Sequence, residues 1–130
     1  EPRANVPQLL RLETPNGHMS CTGEYALVPG EQANGYPLWK QKGGDRWLYS
    51  GSDGKWHIDG RDARDRGFDC ATGVIHSLSV HLGMMPDAVG AGRWLRKYGA
   101  ETLDDPAIRI TAVRDSTVPT WCNATLARLE

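Results

Sequence analysis

The residues best suited to chemistry are one cysteine and two histidines in the second half of the chain, Cys70, His76 and His81. A thiol beside an imidazole is the arrangement that nucleophilic catalysis uses, and the same residue types bind metals. Their spacing matches no closed ligand set, because structural zinc sites pair ligands roughly two to four residues apart. The sequence identifies no Asn or Asp to orient a catalytic histidine. We therefore predict a buried thiol and two strand histidines, and a cysteine-dependent enzyme is the least favoured alternative.

A group of acidic residues lies just before this cysteine: Asp59, Asp62, Asp65 and Asp69. Calcium binds where several hard oxygens converge on one loop. Here Arg61, Arg64 and Arg66 are interleaved with the acids, and their charge opposes a cation site. We predict that residues 59–69 form an exposed charged loop or a turn of helix. Alternating charges of this kind can steer association with a protein partner.

The aromatic residues are dominated by five tryptophans against one phenylalanine: Trp39, Trp47, Trp56, Trp94 and Trp121. Large aromatic side chains fill the core of a small β-domain, and we expect three or four of the five to do so. An exposed aromatic platform on a β-face would instead suit a sugar ring. Carbohydrate or small-ligand binding through exposed tryptophan is therefore the alternative function.

The elements that must position these residues are short strands separated by turns. We count seven or eight strands, at a spacing typical of an antiparallel sandwich or small barrel. The clearest pair is Arg46–Ser50 and Lys55–Ile58, which flank a Gly-containing loop over residues 51–54 and predict a hairpin. The aromatic residues of these two strands are expected to meet across the hairpin. A last short strand is expected around residues 118–121.

Turn chemistry predicts how the strands before this hairpin are arranged. The dipeptides Pro29-Gly30 and Asn34-Gly35 each predict a turn. Pro37 has no N–H to donate to a ladder, which favours an edge strand or a strand that begins after it. An exposed edge can bind a partner by strand addition, and Trp39 and Lys40 would lie on that edge.

Composition limits the classes of partner. The chain has 130 residues, with 15 Lys and Arg against 16 Asp and Glu, so no basic footprint for nucleic acid is present. No apolar run approaches the ~20 residues of a membrane span, and no signal peptide is visible. No phosphate-binding loop, cofactor motif or metal motif is recognised, so we predict no cofactor and no metal. The three cysteines, Cys21, Cys70 and Cys122, predict free thiols in a reducing compartment, with a single disulfide as the alternative.

Three runs share a pattern of turn glycines and aromatic residues: Asn34-Gly35-Tyr36-Pro37-Leu38-Trp39-Lys40, Gly44-Asp45-Arg46-Trp47-Leu48-Tyr49-Ser50 and Gly54-Lys55-Trp56-His57-Ile58. The preceding Gly23-Glu24-Tyr25 and the later Asp105-Pro106-Ala107-Ile108 fit the same pattern. Over roughly residues 20–113 this pattern resembles the small Trp-rich β-modules found in large proteins of kinetoplastids and some other protists. The resemblance implies an intracellular interaction or scaffolding role, in the cytoplasm or the cytoskeleton. It supplies no catalytic residues.

We therefore predict one all-β domain over residues 21–122, preceded by an extension or first strand over 1–20 and followed by a tail over 123–130. The predicted function is that of a non-catalytic protein-interaction or scaffolding module. Five residues are assigned to the partner surface: Trp39, Lys40, Arg61, Arg64 and Arg66.

Overall fold

The structure, a computed structural model, describes residues 6–90 and 92–113. Within these ranges it contains nine strands, namely β1 (Leu9–Glu13), β2 (Gly23–Ala33), β3 (Tyr36–Gln41), β4 (Trp47–Ser50), β5 (Trp56–Asp59), β6 (Ile75–Ser77), β7 (Trp94–Tyr98), β8 (Glu101–Asp104) and β9 (Arg109–Ala112). One helix, α1 (Arg61–Asp65), and two 3₁₀ turns, Met19–Cys21 and Pro86–Ala88, complete the elements of the described ranges. The all-β antiparallel fold class is confirmed. The expected strand at 118–121, the tail at 123–130, Trp121 and Cys122 lie outside the described residues.

All nine strands belong to one antiparallel sheet in the order β8-β7-β6-β5-β4-β3-β2-β1-β9. The two edge strands, β8 and β9, are consecutive in the chain and joined by residues 105–108. A flat nine-stranded sheet would be about 38 Å wide, whereas this connection reaches at most about 18 Å. The sheet therefore curls into a half-barrel. Neither the expected seven or eight strands nor the expected sandwich or small barrel is confirmed.

A buried carboxylate connects three segments of the curled sheet near this connection. Asp105 is 2% exposed, and its Oδ2 accepts a hydrogen bond of 2.8 Å from Nε of Arg96 on β7. Its Oδ1 accepts hydrogen bonds from Nδ2 of Asn16, in the β1–β2 connection, and from the backbone N–H of Ala107. One side chain thus links β7, the loop after β1 and the return to β9.

The turns near β3 differ in part from the prediction. Asn34-Gly35 is a turn as expected, with positive φ at both residues, which is the geometry of a tight hairpin. Pro29-Gly30 is instead part of a bulge in β2, where the pairing with β3 skips from Leu27 to Gln32. Pro37 does not mark an edge strand, because β3 lies between β2 and β4. The proline is accommodated since the β3–β4 pairs are formed by residues 39 and 40, beyond it.

The two faces of the sheet carry separate apolar clusters. The inner cluster joins strands from β1 to β9 and includes Trp39, Trp56 and Trp94. The outer cluster includes Trp47 and Phe68, together with the buried residue Ala63 of α1. The expected meeting of Trp47 and Tyr49 with Trp56 across the β4–β5 hairpin is wrong, because Trp56 lies on the opposite face of the sheet from both.

Candidate partner-binding surface

Three of the five predicted partner-binding residues lie around one depression on the outer face. It has a volume of about 320 Å³ and contains Lys40, Arg61 and Arg64 around the ring of Trp47. Its remaining lining residues are Val28, Glu31 and Asp45. We call this depression the Trp47 pocket. The sequence prediction had placed its cations on an edge and a separate loop, and the fold brings them together.

Strand pairing positions one side of the Trp47 pocket. Lys40 on β3 lies directly opposite Trp47 on β4, so both side chains point to the outer face. The Nζ atom of Lys40 lies 5.5 Å from the centre of the Trp47 ring and donates a hydrogen bond of 2.7 Å to the backbone oxygen of Gly44. The ammonium group is therefore held at the ring by the β3–β4 turn.

Helix α1 positions the other side of the pocket. Ala63 is fully buried and anchors the helix on the outer cluster. Arg61 and Arg64 are three residues apart and share one helix face. Just after the helix, Gly67 has a φ of +65°; its N–H donates to the backbone oxygen of Arg64, and the N–H of Phe68 donates to that of Ala63. This Schellman motif terminates the helix.

The charges in the Trp47 pocket are not balanced within the described residues. Arg61 pairs with Asp45 at 3.4 Å. The guanidinium carbon of Arg64 lies 5.7 Å from the centre of the Trp47 ring. Within the part of the chain that the structure describes, neither Lys40 nor Arg64 has a carboxylate within 4.0 Å. Two cations beside one aromatic ring are thus available to an anionic group.

The other two predicted residues lie elsewhere. Arg66 is exposed at the end of α1 and does not line the pocket. Trp39 is 0% exposed, and its Nε1 donates a hydrogen bond of 2.8 Å to the backbone oxygen of Pro7. Its ring belongs to the inner core and is not accessible to a partner, so Trp39 is not part of the proposed surface. Consecutive strand residues point to opposite faces, which separates Trp39 from Lys40.

A second depression adjoins the Trp47 pocket. It has a volume of about 390 Å³, shares Val28 and Glu31 with the first, and is otherwise lined by Val6, Leu27, Pro29, Gly30, Gln32 and Pro37. We call it the bulge pocket, because the bulge of β2 forms its wall. Sequence reasoning missed it. The available signal was a Pro-Gly pair inside a strand, which can mark a bulge as well as a turn.

The described cysteines lack the geometry of an activated nucleophile. Cys21 and Cys70 are both buried free thiols. Burial raises the pKa of Cys21, although Arg46 opposes this, so its thiol stays protonated at neutral pH. The Sγ of Cys70 lies 3.5 Å from the hydroxyl of Tyr49. The structure thus pairs Cys70 with a phenol, and no described histidine forms a hydrogen bond to it.

His57, which the sequence prediction did not single out, has both ring nitrogens engaged. Nδ1 accepts the N–H of Gly73 at 3.1 Å, and Nε2 lies 2.9 Å from Oδ1 of Asp53. A backbone N–H can only donate, so the neutral ring carries its proton on Nε2. Its ring also stacks on Tyr49, with 5.8 Å between centroids. His57 thus lies at the centre of a structural hydrogen-bond network on the outer face.

His81 forms a buried pair with Ser50, at 2.8 Å between Nε2 and Oγ. Nδ1 of His81 accepts the N–H of Gly83 at 2.9 Å, so in the neutral ring Nε2 is protonated and donates to the serine. A histidine with this polarity does not remove a proton from the hydroxyl. Its ring stacks on Trp56 at 4.4 Å between centroids, consistent with a packing function.

All four described tryptophans are buried, with Trp47 the most accessible at 6%. The part of the chain described here contains no helix long and apolar enough to cross a bilayer. Compared with known protein families, with curated proteins and with solved structures, the chain shows no match.

Proposed function

We propose that this chain is a non-catalytic protein-interaction module that binds its partner through the Trp47 pocket. The supporting observation is that Lys40 and Arg64 lie beside the same ring without a carboxylate partner among the described residues. Aromatic and arginine side chains at the rim of a depression are typical of the residues that dominate protein interfaces. Because Trp47 is nearly buried, the cations rather than the ring provide the accessible contact.

A scaffolding role in the cytoplasm or the cytoskeleton is the biological setting that we propose. The resemblance to Trp-rich β-modules of large protist proteins supports this setting. The two buried free thiols are compatible with a reducing compartment. Carbohydrate binding through an exposed tryptophan platform has no supporting ring among residues 6–90 and 92–113, so the protein-binding proposal is preferred.

The test is capture of a partner from lysate of the source cells, using the immobilised protein and identification by mass spectrometry. The informative variant is Arg61→Ala/Arg64→Ala, which removes two charges from the Trp47 pocket. The matched control is Lys42→Ala/Arg109→Ala, which removes two exposed cations that do not line the pocket. We expect wild type and control to capture the same protein, and the pocket variant to lose it. Equal capture by all three would overturn the assignment of the surface.

Substitution of Arg66 distinguishes binding at the Trp47 pocket from binding to the charged segment over residues 59–69 as a whole. If the Trp47 pocket is the binding site, Arg66→Ala should retain more than half of the captured partner. If loss of Arg66 is as harmful as loss of Arg64, binding depends on the general charge of residues 59–69, and the pocket is not the site.

A further inference from the structure

We propose that the connection between β6 and β7 docks this chain on an anionic phospholipid surface, with Leu82 inserted among the acyl chains and with Lys55 and Arg93 at the phosphate groups. This inference goes beyond the proposed function, because it assigns a second surface and a second class of partner. We call the segment over residues 78–84 the Leu82 loop.

The Leu82 loop carries most of the exposed apolar side chains. Among the residues that the structure describes, six large apolar side chains are exposed, and four of them lie in this loop. Leu82 is 88% exposed. The other three occupy alternate positions around it and are between 43% and 49% exposed: Leu78, Val80 and Met84. Clustered apolar exposure marks an interaction site, whereas single exposed apolar residues are common on soluble proteins.

Leu82 has a backbone conformation that leucine rarely adopts. Its φ is +53°, and the following residue, Gly83, has a φ of +87°. The N–H of Met84 donates a hydrogen bond of 2.9 Å to the backbone oxygen of His81, so residues 81–84 form a tight turn with Leu82 at its tip. Asn, Asp and Gly are the usual residues at such a position. Neither the backbone nor the packing of the described residues favours leucine here, whereas burial in an apolar phase would.

Contacts with the core hold both ends of this turn. The ring of His81 is buried, stacks on Trp56 and contacts the hydroxyl of Ser50. The backbone N–H of His81 donates to the oxygen of Gly54 at 2.9 Å, and Nε1 of Trp56 donates to the oxygen of Met84 at 2.7 Å. The tip is thus held in its exposed position, so docking requires little additional ordering of the loop.

Two cations flank the Leu82 loop. Arg93 is exposed and lines a small depression together with Val80 and Met84. Lys55 follows Gly54, the residue whose backbone oxygen binds the loop. Within residues 6–90 and 92–113, neither cation has a carboxylate within 4.0 Å. Cations beside apolar side chains match the phosphate and acyl layers of a lipid surface.

The acidic residues near these elements in the chain each direct one oxygen into the protein. Oδ1 of Asp53 lies 2.9 Å from Nε2 of His57 and accepts the backbone N–H of Lys55 at 3.1 Å. Oδ1 of Asp87, in the second 3₁₀ turn, is buried. Lys55 and Arg93 are therefore the groups that we assign to lipid phosphates.

The size and composition of the loop favour a lipid over a protein partner. A stable protein interface uses roughly 20–30 residues on each side, whereas five residues of this loop are exposed. Protein hot spots are enriched in Trp, Tyr and Arg and depleted in Leu and Val, and the loop presents Leu, Val and Met. A projecting tip also enters a bilayer without the complementary cavity that a protein partner would have to provide.

The Leu82 loop and the Trp47 pocket lie at opposite ends of β4. Ser50, which contacts His81, is the last residue of the strand, and Trp47 is the first. The two surfaces share no residue. Substitutions in the loop therefore test lipid docking without changing the proposed protein-binding surface.

The first experiment is flotation of the full chain with vesicles of phosphatidylcholine and phosphatidylserine in equal amounts, beside pure phosphatidylcholine vesicles. We expect wild type to bind the mixed vesicles at least about tenfold more tightly than the pure ones. Leu82→Asn removes the apolar tip but suits a positive φ, so it should weaken binding about tenfold while the melting temperature stays equal or rises. Met19→Asn, at an apolar side chain that is 69% exposed outside the loop, is the matched control and should bind as wild type does.

The second experiment measures insertion through the fluorescence of Leu82→Trp. The described tryptophans are buried, so the wild type provides the baseline. We expect the added indole to emit at shorter wavelength on the mixed vesicles and to be quenched by lipids brominated on their acyl chains. Lys55→Gln/Arg93→Gln should weaken binding to the mixed vesicles about twentyfold. Lys42→Gln/Arg109→Gln is the matched control and should leave binding unchanged.

Each other outcome overturns the inference. Absence of vesicle binding, or equal flotation of wild type and Leu82→Asn, refutes lipid docking through the loop. Binding without quenching of Leu82→Trp refutes insertion, and a lower melting temperature of Leu82→Asn shows that Leu82 is structural. If vesicles do not bind but self-association or partner capture from lysate is lost in Leu82→Asn, the loop binds protein. The proposed function is tested separately, because capture through the Trp47 pocket should persist in Leu82→Asn.

Discussion

The side-chain amide of Asn16 donates a hydrogen bond of 2.9 Å to the buried carboxylate of Asp105, 89 residues further along the chain. This contact ties the connection after the first strand to the connection before the last. The same carboxylate pairs with Arg96, whose side chain is 16% exposed. One buried carboxylate thus links β7 to the connections at both ends of the chain path around the sheet.

Replacing this group should be costly. Removing one partner of a buried ion pair leaves the other charge uncompensated, at a cost of about 3–5 kcal/mol. We expect Asp105→Ala to lower the free energy of unfolding by that amount in urea denaturation. The matched control is Asp104→Ala, one residue earlier on the exposed edge strand, which should change it by less than about 0.5 kcal/mol. Equal effects of the two substitutions would show that the buried ion pair of Asp105 does not stabilise the fold.

Gly73 packs against His57 so closely that there is no space for a side chain at this position. A Cβ added at Gly73 would lie 2.7 Å from Cβ of His57 and 2.9 Å from the backbone oxygen of Ile75, neither of which can move freely. We expect Gly73→Ala to cost about 1–3 kcal/mol, the usual penalty of overpacking. At Gly17 the nearest atom to an added Cβ is Nη1 of the Arg96 side chain, at 3.0 Å, and no backbone atom is among its nearest neighbours. The Gly17→Ala control should therefore cost less than Gly73→Ala in the same unfolding assay, and the prediction fails if the two substitutions cost the same.

The Asp53–His57 pair predicts how stability depends on pH. Burial lowers the pKa of His57 below its ordinary value of 6.5, although Asp53 opposes this. Partial burial raises the pKa of Asp53, but hydrogen bonds from His57 and from the backbone of Lys55 outweigh it and hold this pKa below 3.8. Both groups thus bind protons more readily in the unfolded chain. The free energy of unfolding should fall as pH drops below about 6.5, and Asp53 should add a further loss below about 3.8.

The measurement is urea unfolding between pH 7.5 and 3, together with NMR titration of the histidine rings. At pH 7 the ring of His57 should be the neutral tautomer protonated on Nε2, and it should titrate below 6.5. A His57 ring that titrates above 6.5 would contradict the prediction, because stability would then rise on mild acidification.

The sequence was sufficient to locate most strands, and physical reasons explain where it was not. Strands with several β-prone residues between Gly, Pro or Asn are recognisable, as the hairpin of β4 and β5 shows. The residues that face each other across this hairpin were predicted wrongly. Ser50 pairs with Trp56, so the loop between β4 and β5 has five residues, 51–55, and not the four that were expected. A shift of one residue transfers every side chain to the other face.

Two features of the sheet, the edge strand β8 and the β2 bulge, have no recognisable pattern in the sequence. The edge strand β8 (Glu101–Asp104) is short and mostly exposed, as edge strands are, so it shows no alternation of apolar and polar residues. The β2 bulge is determined by how β2 pairs with β3, not by local sequence. The candidate site was therefore predictable only in its cations. That Lys40 and Arg64 meet at Trp47 depends on tertiary packing of α1 against β3 and β4, which local periodicity does not encode.

Trp56 should be sensitive to substitution, because it is a fully packed tryptophan of the inner core. It is 0% exposed, its Nε1 donates a hydrogen bond of 2.7 Å to the backbone oxygen of Met84, and its ring lies 5.7 Å from that of Trp39. Trp56→Ala removes this packing and leaves the oxygen of Met84 without its donor, so we expect a loss of about 3–5 kcal/mol in the free energy of unfolding. Tyr98→Ala, at a ring that is 66% exposed, is the aromatic control and should be nearly neutral. If Trp56→Ala is also neutral, Trp56 is accessible in solution, and carbohydrate binding through exposed tryptophan regains support.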